Sequence, residues 1–297
     1  MTGILLVDKP EDMTSAGVIR ALKPRLGTTR VGHLGTLDPF ASGLLPLCLG
    51  EATKVARYLL VEEKSYEGTI RLGTATDTLD RAGAPTETAP VPALAQADLD
   101  AVAIRFTGSQ RQVPPMYSAL KRDGVPLYKL ARRGLVVERA PREITVAHLE
   151  LALRPPERIE FRLECSKGTY VRVLAADVGR ALGTVAHLER LRRTRVGSFR
   201  VEQAVPVSAL VAAPQDSALP VVAVRDALAS YAAYPTPSPD ALDRLRRGQQ
   251  APLARLPAPH AAGETALLLD RAGDVAAVIE AAGEHPAWRL VRLLARS

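Results

Sequence analysis

Apolar and polar positions change period several times along the chain, and each change marks an element. Gly3 to Val7 is an unbroken apolar run closed by Asp8 and Lys9, the pattern of a buried strand. Ser15 to Leu22 has the capping residues and apolar spacing of a short helix, stopped by Pro24. Ala52, Val55, Ala56 and Leu59 make a helical stripe within Glu51 to Leu60. From Ser65 to Leu72 the period falls to two. Tyr66, Ile70 and Leu72 share one face, and Ser65, Glu67, Thr69 and Arg71 share the other, so a half-buried strand carries Tyr66 on its apolar side. Residues 84–93, rich in Pro, Thr and Ala, read as a loop, and Leu99 to Phe106 reads as a helix. Arg142 to Leu153 and Arg158 to Cys165 both alternate and are expected to pair as antiparallel strands across a turn at Pro155-Pro156. Tyr170 to Leu182 has helix length and ends at Gly183.

Strands and helices mixed in this way, without repeating βαβ units, indicate an α+β domain. Pro214 to Pro220 and then Pro235-Thr236-Pro237-Ser238-Pro239 punctuate the chain. Beyond them lie a short helix, Asp240 to Arg247, and short strands around Ala266 to Leu269 and Val275 to Ile279. The expected division is a large domain over 1–228 and a small β-rich one over 229–297. On its residues alone the tail fits an RNA-binding module and a small oligomerisation domain equally well.

Composition narrows the class. With 297 residues, 47% hydrophobic and 24% charged, the chain can bury a sizeable core. Its 39 Lys and Arg against 32 Asp and Glu give +7, which favours an anionic partner. Cys48 and Cys165 are far apart and outside any metal-ligand spacing, which suits two ordinary thiols in a reducing compartment. The apolar run before Asp8 is too short for a signal-peptide core, and no later stretch approaches a membrane span, so a cytoplasmic protein is expected.

The densest chemical pattern is Gly32-His33-Leu34-Gly35-Thr36-Leu37-Asp38-Pro39-Phe40-Ala41-Ser42-Gly43. Its glycines free the backbone for tight turns, and Pro39 stiffens the chain after Asp38. Asp38 could simply close an Asx turn before Pro39, or it could be an acid held in place for chemistry. Residue types leave both readings open. Basic residues cluster twice more, from Lys121 to Arg142 around Tyr128 and from Arg190 to Arg200, an arrangement suited to phosphate contact.

The run from Gly32 to Lys54 resembles the catalytic motif of the TruB-type tRNA pseudouridine synthases. Other blocks match in the family's order: Lys9-Pro10, Lys64 to Glu67, Arg71 to Gly73, Thr76 to Asp80, Gln112 to Lys121, Cys165 to Arg172, and His187 to Thr194. The resemblance implies a mixed, mainly antiparallel catalytic domain, an RNA-gripping insertion at about 121–142, and a PUA-like RNA-binding module at the C-terminal end. It implies isomerisation of uridine 55 in the tRNA T loop to pseudouridine, by base flipping and re-formation of the glycosidic bond through C5. That reaction needs no cofactor and no metal.

In this reading Asp38 is the essential carboxylate, Arg172 keeps it ionised, and Tyr66 stacks on the target uracil. Tyr170 and Leu191 line the base pocket, and His33 holds the rearranged RNA loop. Lys9, Lys54 and Asp80 are further candidates for RNA contact. The expected partner is the tRNA T arm, with no membrane, no obligatory protein partner and a monomeric chain. A first strand at Gly3 favours a stand-alone enzyme over guide-RNA-dependent relatives with other RNA targets. A non-catalytic tRNA-binding or folding protein on the same scaffold is the remaining alternative.

Overall fold

The computed structural model describes residues 1–60, 63–122, 124–154, 156–283 and 287–294. Among these, the strands that position the site are β1 (Gly3–Lys9), β2 (Val31–His33), β3 (Ser42–Leu49), β4 (Lys64–Leu72), β5 (Thr74–Thr76), β6 (Pro85–Thr88), β7 (Gly108–Gln112), β8 (Arg142–Arg154), β9 (Arg158–Cys165) and β10 (Ala186–Val196). The helices that matter are α1 (Ser15–Leu22), α2 (Gln96–Phe106) and α3 (Val171–Ala181).

One mixed sheet organises the chain, in the order β1-β3-β10-β4-β9-β8-β7. The pairings are antiparallel except for β3 with β10 and a short Val205–Pro206 strand beside β1, so the expected mainly antiparallel α+β architecture is what is found. β1 is apolar on both faces because both are covered. Leu5 and Val7 enter the cluster that contains Tyr66 and Val171, whereas Ile4 and Leu6 enter a second one. Thr14 caps α1, its hydroxyl accepting from the Gly17 amide, and Val18 and Leu22 pack into the first cluster.

Several expected elements differ in detail. The stripe from Ala52 to Leu59 is buried as expected, but it is built from a 3-10 turn, Gly50–Lys54, and a short helix, Ala56–Leu59, that meet at Val55. The stretch read as a loop over 84–93 contains β6, which pairs with β5 although every residue of β6 is exposed. A strand with no buried face carries no alternation to read. β8 and β9 pair as expected from Arg154↔Arg158 onward, and of the expected Pro155-Pro156 turn, Pro155 lies outside the described residues.

At the C-terminal end a second sheet comprises β11 (Ala232–Pro235), β12 (Thr265–Leu269), β13 (Val275–Ala281) and β14 (Trp288–Leu293). β11 runs into the proline stretch that the sequence reads as punctuation, and Pro235 fits there at the last strand position. This sheet shares an apolar cluster with the first: Leu267, Leu269 and Val278 pack with Ile4, Leu44 and Cys48. The Tyr231 hydroxyl donates to the Tyr58 carbonyl, and the two rings meet edge to face at 5.9 Å. No helix among the described residues is long and apolar enough to cross a membrane.

Candidate active site

Asp38 sits on the loop between β2 and β3, and the sequence explains how that loop is fastened. Leu34, Leu37, Phe40 and Ala41 are all buried, so the apolar residues around Asp38 anchor it from beneath. The Ser15 hydroxyl, at the start of α1, accepts from the Leu37 amide at 3.0 Å and donates to the Leu37 carbonyl at 3.2 Å. The Ala41 amide donates to the backbone carbonyl of Asp38 at 3.1 Å. The turn is therefore closed by backbone, which leaves the Asp38 carboxylate for other partners.

Its partner is Arg172, in the first turn of α3. Arg172 Nε lies 2.8 Å from Asp38 Oδ2, and Nη2 donates to Oδ1 at 3.2 Å, a two-pronged contact. The same guanidinium donates to the Thr78 carbonyl at 2.8 Å and the Tyr117 carbonyl at 2.7 Å, and Nη1 lies 3.4 Å from Asp80 Oδ2. Three hydrogen bonds and two ion-pair contacts thus engage all three of its nitrogens. Arg172 is 4% exposed, whereas the Asp38 side chain is 34% exposed. The cation is sealed beneath a carboxylate that still has an open side.

Burial pushes the Asp38 carboxyl above the usual aspartate range. Arg172 pulls the other way, and Asp80 adds a further push upward. Net displacement is upward, so burial outweighs the ion pair that the sequence reading put first. Arg172 is still what limits the rise.

The remaining candidates separate into those that gather at the carboxylate and those that do not. Tyr66 on β4 is buried, and burial pushes its phenol up to about 12. Tyr66, Leu37, Phe40, Val171 and Leu191 belong to one apolar cluster. Tyr170 caps the start of α3, its peptide group held both ways by the Gln112 carboxamide at 2.8 and 3.1 Å. Both tyrosines lie within electrostatic reach of Asp38. His33 is half-buried at the end of β2, and burial followed by the nearby Arg193 lowers its pKa.

Three residues expected to contact RNA are engaged within the chain. Lys9 is fully buried, and its ammonium donates to the carbonyls of Pro10 (2.8 Å), Met13 (2.6 Å) and Pro39 (3.0 Å). It fastens the Asp38 loop from inside and has no donor left for a phosphate. Its pKa is lowered to about 8 by burial, against the pull of Asp12, Asp38 and Glu11. Lys54 follows the far end of β3, where it pairs with Glu51 at 2.6 Å and donates to the Leu293 carbonyl at 3.1 Å. It joins the two sheets. Asp80 is buried, with Oδ1 accepting from the Thr78 hydroxyl (2.7 Å) and the Ala82 amide (3.0 Å) while Oδ2 faces Arg172. It supports Arg172 and does not reach outward.

In the second basic stretch, Arg190 and Arg200 are exposed, whereas the other three arginines are engaged within the chain. Arg192 forms a two-pronged pair with Asp8, Arg195 meets Ser65 and Glu164, and Arg193 is almost completely buried. Alternation from Leu191 already places Arg193 on the buried face of β10, a signal that its charge masks. Ser15 and Gln112 act through hydrogen bonds that no local pattern announces. In the first stretch, Arg132 lies over the Tyr128 ring at 5.6 Å, after a small hairpin of Lys121–Arg122 with Val125–Pro126.

Residues 23–171 match the model of the TruB family pseudouridylate synthase N-terminal domain, and residues 172–230 match that of the tRNA pseudouridylate synthase B C-terminal domain. The Asp38–Arg172 pair thus joins the two matched segments. A tRNA pseudouridine synthase B of Aromatoleum aromaticum is 51% identical over 229 residues, 77% of this chain and 74% of that protein. One of Psychrobacter cryohalolentis is 45% identical over 255 residues, 84% of this chain and 71% of the other. Among solved structures, a chain of a Cbf5-Nop10-Gar1 complex superposes with a TM-score of 0.72 at 24% identity, covering 100% of this chain and 84% of that one. This last likeness concerns the fold.

Proposed function

The chain belongs to the TruB family of pseudouridylate synthases, and from that premise we propose that it isomerises uridine 55 in the T loop of tRNA, with Asp38 as the carboxylate that opens the glycosidic bond. The chain is a tRNA-modifying isomerase. The observation that carries the assignment of Asp38 is its two-pronged contact with a sealed guanidinium beneath an open carboxylate face.

The reaction breaks the C1′–N1 bond, turns the uracil, and joins C1′ to C5. C5 then loses a proton and N1 gains one, so atoms balance without an oxidant or external nucleophile. An ionised carboxylate beside the sugar can add to C1′ or take a proton from C2′. Either role needs a negative charge that is not dispersed by water. Burial raises the energy of the ionised form and so its basicity, while Arg172 keeps it accessible at neutral pH. Tyr66 offers a ring for the flipped base, and the apolar wall of Leu37, Phe40 and Leu191 limits hydrolysis of the cleaved state.

In this reading the insertion over about 121–142 grips the T arm, and 229–297 acts as a PUA-like RNA-binding module. The chain works as a monomer on tRNA without an obligatory protein partner. Incubation with an unmodified tRNA transcript, followed by chemical mapping of pseudouridine, tests the function. Conversion at the single T-loop uridine is the expected result. A transcript left unconverted, or converted elsewhere, overturns the proposed target.

A further inference from the structure

Among the described residues, Arg193 is the one buried arginine, besides Arg172, that reaches the Asp38 loop, and it takes no part in the chemistry described above. It is 1% exposed, and no carboxylate among the described residues lies within ion-pair distance of it. A guanidinium buried without an anion costs stability, so packing does not explain it. Its contacts do. Nε donates to the Leu44 carbonyl on β3 at 2.8 Å, and Nη2 donates to the Gly35 carbonyl at 3.0 Å. Tyr66 sits opposite Arg193 in the β4–β10 register, and its phenol lies within electrostatic reach of the guanidinium.

The backbone of Arg193 bears on the same loop. In the parallel pairing of β10 with β3, Arg193 stands opposite Gly43, and a Cβ there would lie 2.3 Å from the Arg193 carbonyl oxygen. A Cβ on Gly35 would lie 3.4 Å from Nη1. Both glycines have positive φ, +97° at Gly35 and +101° at Gly43. The loop that carries Asp38 thus begins against the side chain of Arg193 and ends against its backbone.

We propose that Arg193 is a positioning residue that fixes the Tyr66 ring relative to the Asp38 loop. A planar fork with donors in fixed directions can hold a strand carbonyl, a loop carbonyl and a phenol at once, which an ammonium on a flexible stem cannot. Through it, the surface that receives the uracil and the carboxylate that acts on the sugar share one anchor. The inference rests on the roles proposed above for Tyr66 and Asp38.

The test is single-turnover modification and tRNA affinity for Arg193→Met, Arg193→Lys, Tyr66→Phe and the double variant Tyr66→Phe/Arg193→Met, beside Asp38→Asn. Misplacement on the ångström scale lowers the rate about 100-fold in Arg193→Met, and Arg193→Lys, which keeps the charge, recovers only about a tenth of wild-type rate. Affinity for tRNA stays within about a factor of two, because the side chain is shielded from RNA. The Tyr66→Phe change adds little on top of Arg193→Met, since both cut one linkage. Arg193→Lys at wild-type rate, or losses that multiply in the double variant, would overturn the proposal. Should Arg193→Met not fold, Arg193→Lys decides the matter alone. An active Asp38→Asn protein would instead refute the site reading, whatever the Arg193 variants do.

Discussion

Replacing Arg172 by Met leaves two carboxylates, Asp38 and Asp80, facing a position that no longer holds a cation. The Arg172 side chain is 4% exposed and that of Asp80 is 7% exposed, so water cannot take over its role, although at Asp38, 34% exposed, it partly can. Breaking a buried pair by removing one partner costs about 3–5 kcal/mol, and the open side of Asp38 puts the expected loss near the lower end, ~3 kcal/mol at neutral pH. Two neutral acceptors, the Thr78 and Tyr117 carbonyls, lose their donor as well. The pH dependence has a definite sign. Without the cation, the native Asp38 carboxyl holds its proton more tightly than in the unfolded chain. The unfolded state then binds fewer protons, and stability falls as pH rises above the ordinary carboxylate range. The difference from wild type should therefore be larger at about pH 8 than at about pH 5, read by urea unfolding at both. The acidic limb of the activity profile moves upward in the same variant, because Arg172 is what opposes the burial of Asp38. A loss below about 1 kcal/mol, or one that does not vary with pH, would refute the clamp.

Tyr66→Leu removes a stacking surface worth roughly 1–3 kcal/mol, so the single-turnover rate should drop about 5- to 150-fold while the fold persists. Gly43→Ala forces a side chain into a left-handed backbone and against the Arg193 carbonyl; the conformation alone costs about 1–3 kcal/mol, to be read as a lowered thermal midpoint. For Lys9, whose pKa falls from 10.5 to about 8 on folding, the unfolded state binds more protons between those values. Wild-type stability relative to Lys9→Met should accordingly rise from about pH 8 to about pH 10.5, and a flat difference across that window would mean the ammonium is not buried.

Much of this was legible in the residues because burial imposes a period. β1, β4, β9 and α1 appear at or within two residues of their expected bounds, since each sets an apolar face against the core. β6 was not legible, being exposed throughout, and neither was β14, whose alternation is broken by Arg289 and Arg292. The Asp38–Arg172 pair came from the family resemblance, since no local spacing joins residues so far apart in sequence. Charge misled in the opposite way. Lys9 and Arg193 read as surface cations, yet each is buried among carbonyls that a loop turned inward supplies. A partition into two domains at 228/229 was suggested by prolines, but the apolar cluster shared by Ile4, Leu44 and Leu267 depends on distances that composition does not encode.

The most direct test of the account compares wild-type protein, Asp38→Glu and Asp38→Asn on one unmodified tRNA, measuring tritium release from C5-labelled uridine together with tRNA binding. A carboxylate essential to bond cleavage predicts that Asp38→Asn binds tRNA as wild type does and releases no tritium, with Asp38→Glu at most weakly active. Release from Asp38→Asn at the wild-type rate would contradict the account at its centre.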